Sequence, residues 1–254
     1  MRDFIKEGKF IATVGIFFLG LIIGTQADLP STIKTCSRNL PRPEECIIDA
    51  VDKLRPDLSV GDLGENFKTP PLEPMMIENI EMHRGQEFRA IFTNLLVNGP
   101  SQFVVEKLKA DINNLAFDFN IFLPQLNFTG KYALKIRILL LDIGGKGNVR
   151  GTLSRTRAAV KLRGNKVMED GFERVKFHRL QAKIKIEDQK IFLDNLFNGD
   201  PVLGQVGNQV INDNSKLFLS EIIPGLEKSL SKTFLDIANN ILKNSTFDEM
   251  FPDV

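Results

Sequence analysis

The sequence has no tryptophan, one tyrosine, two histidines and two cysteines in 254 residues. Each shortage closes off a class of function. With 20 phenylalanines against a single tyrosine, the aromatic surface is almost wholly apolar and suits a greasy interior better than a sugar site. His83 adjoins the turn at Gly85 and His178 lies on a charged strand edge, so both read as solvated surface residues rather than bases. Gly-x-Ser-x-Gly, His-Glu-x-x-His and Cys-x-x-Cys are absent, which removes common hydrolase, zinc-protease and thiol-redox signatures. No catalytic residue, metal site or cofactor is assigned. The formal net charge is only +1, so whole-chain charge selects neither nucleic acid nor an acidic polymer as partner.

One long apolar run exists, at the start. Arg2, Lys6 and Lys9 outnumber Asp3 and Glu7, residues 10–23 are apolar, and Thr25-Gln26-Ala27 places small residues where a signal peptidase inspects the chain. This predicts a secretory signal peptide over 1–27, cut after Ala27. Fourteen apolar residues fall short of the roughly 20 needed to span a bilayer. The mature chain, 28–254, is expected as one extracellular domain without stable membrane insertion, and as a monomer.

Cys36 and Cys46 come directly after it, and an even count at short spacing in an oxidising compartment reads as a disulfide, two free thiols being the alternative. Pro43-Glu44-Glu45 suits a first helical turn, Ile47, Ile48, Val51 and Leu54 make a helical stripe, and Pro56 is expected to end it. After a segment punctuated by glycine and proline over 57–74, the period changes to two. Alternation is clearest over 115–123, 132–140 and 180–186 and weaker over 75–83, 88–97, 103–112, 149–162 and 190–197. Arg84-Gly85, Asn98-Gly99-Pro100, Gly144-Gly145-Lys146-Gly147-Asn148 and Arg163-Gly164-Asn165 read as turns between them. The expectation is an antiparallel meander of about eight strands. The glycine cluster matches no phosphate-loop pattern, because the residues after it alternate like a strand.

Near the C-terminus, Leu219, Ile223, Leu226, Leu230, Phe234, Ile237 and Ile241 recur at steps of three and four, predicting one long helix over 208–243 with a kink at Pro224. The apolar sheet face is larger than this stripe can cover. The sheet can curl round the helix, close partly on itself, or accept something from outside; a dry two-layer core working through its surface is the alternative. Between Lys146 and Lys190 there are thirteen Lys or Arg and five Asp or Glu. This basic region is a candidate for receptor or lipid-surface contact, or simply a solvated face. Two sequons, Asn127-Phe128-Thr129 and Asn244-Ser245-Thr246, are candidate glycosylation sites.

The C-terminal third, "NLFNGDPVLGQVGNQVINDNSKLFLSEIIPGLEKSLSKTFLDIANNIL", with the closing "FDEMFPDV", the central "FTGKYALKIRILLLDIGGKGNVRG" and the Cys36/Cys46 pair, resembles the takeout and juvenile-hormone-binding protein family of arthropods. The resemblance implies an α+β fold of the tubular lipid-binding superfamily: a strongly curved antiparallel sheet wrapped round a long C-terminal helix, enclosing an elongated apolar tunnel. It implies an extracellular carrier of a small hydrophobic ligand, a terpenoid, fatty acid or related lipid, without catalysis. In that fold the tunnel candidates are Met76, Ile80 and Phe92 on the early strands and Phe117, Phe119 and Ile121 on the first strongly alternating one. Tyr132, Leu134, Ile136 and Ile138 join them from the second, the Tyr132 hydroxyl being a candidate polar group for a ligand's head. Phe218, Ile222, Leu226, Leu230 and Phe234 are the candidates on the helix.

Overall fold

The computed structural model describes residues 29–64, 67–84 and 88–253. The expected signal peptide and the Gly85 turn lie outside the described residues. Helix α1 (Pro43–Val60) starts with proline and two glutamates in its first turn and is tied to the preceding segment by the Cys36–Cys46 disulfide. It runs through Pro56, where the sequence pattern suggested an end. Proline costs the helix one N–H bond, whereas the actual stop needs a left-handed residue. Gly61 supplies it at φ 77°, with its N–H on the Asp57 carbonyl at 2.8 Å.

Six strands form one antiparallel sheet: β1 (Met75–Arg84), β2 (Phe88–Asn98), β3 (Val104–Asp111), β4 (Ala116–Ile138), β5 (Leu141–Glu169) and β6 (Phe172–Leu193). The order is β1-β2-β4-β5-β6, with β3 paired to the first part of β4 and β2 to the second. The strands are fewer and longer than the alternation suggests, because 116–123 and 132–138 belong to a single 23-residue β4. The expected turn at Gly144–Gly147 is also strand: these residues face 132–135 in register, and the chain reverses at Leu139-Leu140 instead. Here glycine provides room rather than a bend. A Cβ at Gly145 would lie 2.8 Å from the Asn195 carbonyl oxygen, and one at Gly147 2.0 Å from Asp194 Oδ1. Arg163-Gly164-Asn165 is likewise strand and not a turn, lying opposite a bulge that leaves His178 of β6 without a pairing partner.

A face switch crosses the long strands at one level. Pairing skips from Leu123↔Thr156 to Gln125↔Ser154, and from Thr156↔Ile186 to Ser154↔Asp188, leaving Pro124, Arg155 and Glu187 unpaired in a row. Proline has no N–H for the ladder, and Arg155 sits at φ 50°, so both favour a local break in pairing, across which the register is kept. On the outer face Arg155 bridges Glu187 and Asp188, pinning the corner. The bend lets strands with contour lengths of about 75 Å and more coil instead of running flat.

Helices α2 (Pro201–Asp213) and α3 (Ser215–Ile241) close the curl. The single helix expected over 208–243 is therefore broken, at Asn214, whose φ of −108° and ψ of 37° are not helical and whose Nδ2 caps the Val210 carbonyl. Pro224 interrupts nothing, and α3 continues for 27 residues, about 40 Å. This helix touches both outer edges of the sheet, β6 and β1. On the β1 side, Gly225 lets it approach so closely that a Cβ would meet Met82 Cγ at 2.4 Å.

On the β6 side a row of polar side chains takes up the free backbone edge. Asn208 and Asn212 each accept from and donate to one residue, Leu193 and Ile191 respectively. Glu227 accepts from the Ile184 N–H and Ser231 from the Ala182 N–H, and Asn239 clasps Phe177 in both directions. An edge strand that would otherwise template another chain is thus sealed from within. The short α4 (Phe247–Met250), fixed by a Thr246/Glu249 capping box, packs Phe247 and Phe251 beside Phe117 and Phe177 at one end of the curl. At the other end α2 packs Ile211 with Leu134, Ile136, Ile138, Ile143 and Leu196.

Candidate functional site: an apolar cavity

Between these two end clusters the inner face of the sheet, α1 and α3 enclose a cavity of about 470 Å³. Its wall is built from alternating positions. β4 contributes Phe119, Ile121 and Leu123 before the face switch and Leu126 and Phe128 after it, while β6 contributes Leu180, Ala182, Ile184 and Ile186. The helical period places Ile222, Leu226, Leu230 and Phe234 of α3 opposite them. Among the described residues no Asp, Glu, Lys, Arg, His or Cys lines this cavity, and Thr69 and Thr156 are the lining residues that carry a side-chain hydroxyl. A second cavity of about 180 Å³ lies toward the disulfide and shares Val51, Leu54, Phe119 and Leu162 as wall.

Of the residues singled out from sequence, Ile80, Phe92, Phe119 and Ile121 of the sheet line the main cavity, as do Phe218, Ile222, Leu226, Leu230 and Phe234 of α3. Phe117 lines the smaller one. Met76 does not face inward and is 45% exposed. It shares the parity of Ile80, but the ladder is interrupted between them opposite Asn94, a residue at φ 51°, so inward positions change from Met75 and Ile77 to Ile80. Tyr132, Leu134, Ile136 and Ile138 are on the inner face and buried, yet they line neither cavity, because α2 and Leu196 pack directly on them.

Tyr132 turns its hydroxyl to the backbone, donating to the Asp194 carbonyl. Burial first, and then the Asp194 carboxylate, push its phenol up to about 12. Pattern reading passes over Thr156, Ala158 and Val160 of β5, although each lines the cavity. A helical stripe does predict Val51 and Leu54 of α1, but nothing in it indicates that they face a cavity.

The histidines are remote from this space: His83 is exposed beside Glu81, with Nε2 2.6 Å from its Oε1, and His178 is exposed on β6. Much of the basic 146–190 region is paired on the outer face. Arg157 reaches Glu106 and Glu187, Arg163 reaches Asp118, Lys166 reaches Glu173 and Lys183 reaches Glu227. Arg155, bonded to it first and foremost, helps hold the Glu187 carboxyl below its ordinary range. Asn127 and Asn244 are both exposed. Asn127 accepts from Thr152 through its Oδ1, and Asn244 lies past the end of α3.

The sequence profile of the haemolymph juvenile hormone binding protein (JHBP) family matches residues 14–252. The circadian clock-controlled protein daywake of Drosophila yakuba is 23% identical, the alignment covering 94% of this chain and 97% of that protein. For daywake of Drosophila melanogaster the identity is 22%, with 95% and 96% covered. Among solved structures, Takeout 1 of Epiphyas postvittana aligns with a TM-score of 0.72 at 17% identity, over 82% of this chain and 95% of that one, and has the same fold.

Proposed function

Since the chain belongs to the haemolymph juvenile hormone binding protein family, we propose that it is a secreted carrier holding one small hydrophobic ligand, a terpenoid, fatty acid or related lipid, in its internal cavity. The observation that carries this reading is the cavity itself: about 470 Å³ enclosed by a wall without a charged side chain among the described residues. Small-molecule sites commonly occupy about 300–1,000 Å³. If each ligand heavy atom takes roughly the 30 Å³ of a water molecule, the space suits about sixteen of them. Burying about 400 Å² of apolar ligand surface gains about 10 kcal/mol gross, and association losses bring the net to about the micromolar range. The absence of an acid–base pair from the wall, among the described residues, supports binding over turnover.

The remaining parts of the reading follow from export. Residues 1–27 act as the signal peptide, the mature domain runs over 28–254 as a monomer, and Asn127 and Asn244 receive glycan in the secretory pathway. Their exposure supports this. Among the described residues no helix is long and apolar enough to cross a membrane. Lys161, Arg179 and Lys185, exposed and without an ion-pair partner among the described residues, are the part of the basic face available to a receptor or an anionic lipid surface.

Native mass spectrometry of the protein secreted by insect cells tests the proposal, with solvent extraction of whatever copurifies. A one-to-one hydrophobic adduct, or uptake of one added lipid per chain, is the expected result. Protein that leaves the cell empty and stays indifferent to added lipid rules the carrier function out.

A further inference from the structure

The two hydroxyls in the cavity wall stand out by chemistry. Thr156 is only 3% exposed, and its Oγ1 has almost no accessible surface, toward solvent or cavity, and no hydrogen-bond partner in the protein, so a turn about its Cα–Cβ bond is what brings it to a ligand. Its backbone is committed to strands on both sides, opposite Leu123 of β4 and Ile186 of β6, so the side chain projects from the middle of the sheet into the cavity. A stranded hydroxyl costs about 1–3 kcal/mol, a cost that the nearly isosteric valine avoids. A second sealed polar group, which lines neither cavity, lies on the same inner face of the ladder. Gln189 is the cross-strand partner of Leu153, the inward residue that precedes Thr156 across the face switch, and cross-strand partners share a face of the sheet. Both the Nε2 and Oε1 of Gln189 are shielded from solvent and unpartnered. Neither residue therefore satisfies the other.

We infer that Thr156 is the polar anchor of the cavity, receiving an oxygen function of the ligand: an ester, carboxyl, ketone or alcohol set against otherwise apolar walls. The inference rests on the carrier reading and narrows it. A hydroxyl can both donate and accept, so Thr156 suits a carbonyl or hydroxyl oxygen. The left-handed backbone at Arg155 is what turns Thr156 inward: Leu153 and Thr156 both line the cavity although they differ in parity. Thr69 Oγ1 is also unpartnered, but it lies among Pro70, Leu72 and Leu58 under β1, at a different part of the wall.

Two probes of similar size, methyl tetradecanoate and hexadecane, are titrated against N-phenyl-1-naphthylamine bound to the secreted protein. The variants are Thr156→Val, Thr156→Ser and Gln189→Leu. In Thr156→Val, ester affinity falls about fivefold to tenfold, the worth of one buried hydrogen bond, while hexadecane affinity holds. Thr156→Ser restores the ester preference, and Gln189→Leu, away from the cavity wall, leaves it unchanged. Thr156→Val retains the fold, which is checked by an undiminished Tm without ligand. If both probes bind and Thr156→Val leaves the ester preference unchanged, the anchor is refuted and the carrier reading stands. If neither probe displaces the dye from the unsubstituted protein, the carrier reading falls and takes the anchor with it.

Discussion

Replacing Asn212 by leucine tests the seal between α2 and β6. Asn212 Oδ1 accepts from the Ile191 N–H at 2.9 Å, and its Nδ2 donates to the Ile191 carbonyl at 2.7 Å and to the Asn208 carbonyl at 2.8 Å. Leucine keeps most of the bulk and removes the clasp, leaving a backbone donor and acceptor of a buried residue facing hydrocarbon. At about 1–3 kcal/mol for each stranded group, the loss is about 2–6 kcal/mol. For a domain of this size that lowers Tm by about 5–20 °C. Asn212→Ala leaves space in which water can bond the same groups, so its cost is about half. Thermal unfolding followed by circular dichroism gives the stability change, and amide exchange of Ile191 reports whether the edge has opened. Because Ile191 also lines the cavity, release of a bound dye becomes faster in the same order, leucine before alanine. A leucine variant within about 0.5 kcal/mol of the parent, with unchanged Ile191 exchange, refutes the idea that helix side chains rather than water satisfy this edge.

Ala158→Phe puts a ring into the cavity between Ile121 and Ile184, and six added carbons at roughly 30 Å³ each remove over a third of the space. Ligands of about sixteen heavy atoms are expected to lose more than tenfold in affinity by dye displacement while 1-octanol keeps its own; equal losses would place the ligand elsewhere. Alkaline unfolding isolates Tyr132, whose phenol is held at about 12 by burial and Asp194, against roughly 10 in the unfolded chain. The unfolded state releases the proton first, so stability complete below pH 10 declines by about 2–3 kcal/mol toward pH 12, and Tyr132→Phe should lack that part of the decline. Superimposable curves for the two proteins contradict this. Replacing both Cys36 and Cys46 by serine opens a loop with a sequence separation of 10, which should cost about 2.5 kcal/mol and lower Tm by about 5–10 °C. A smaller shift would mean that the contacts of α1 already restrain that segment.

Much of the site is readable from spacing. Ile222, Leu226, Leu230 and Phe234 follow from the helical period, and Phe119 and Ile121 from strand alternation, because each pattern runs undisturbed over the stretch in question. Errors arise where the backbone breaks its own period. Alternation puts Met76 on the wrong face because an interruption at Asn94 lies between it and Ile80. It misses Thr156 because Arg155 shifts the parity by one and a threonine carries no apolar signal. The glycines at 144, 145 and 147 resemble a turn by composition, yet they answer to close neighbours, Asn195 and Asp194, that are distant in sequence.

Local chemistry alone was enough for the element types, the disulfide between the paired cysteines, the amphipathic stripe of α3 and the shortage of catalytic groups, since each depends on neighbours within one or two turns. The space between the elements depended on tertiary structure. Whether the excess apolar face of the sheet meets a core or a cavity is set by how far β4, β5 and β6 coil at their shared break in pairing, and by which side chains of α2 and α3 reach the free edge of β6. Tyr132 and Ile121 carry the same kind of alternation on one strand. One is packed under α2 and the other faces the cavity, because burial on a sheet face is decided by what lies across from it and not by the strand's own residues.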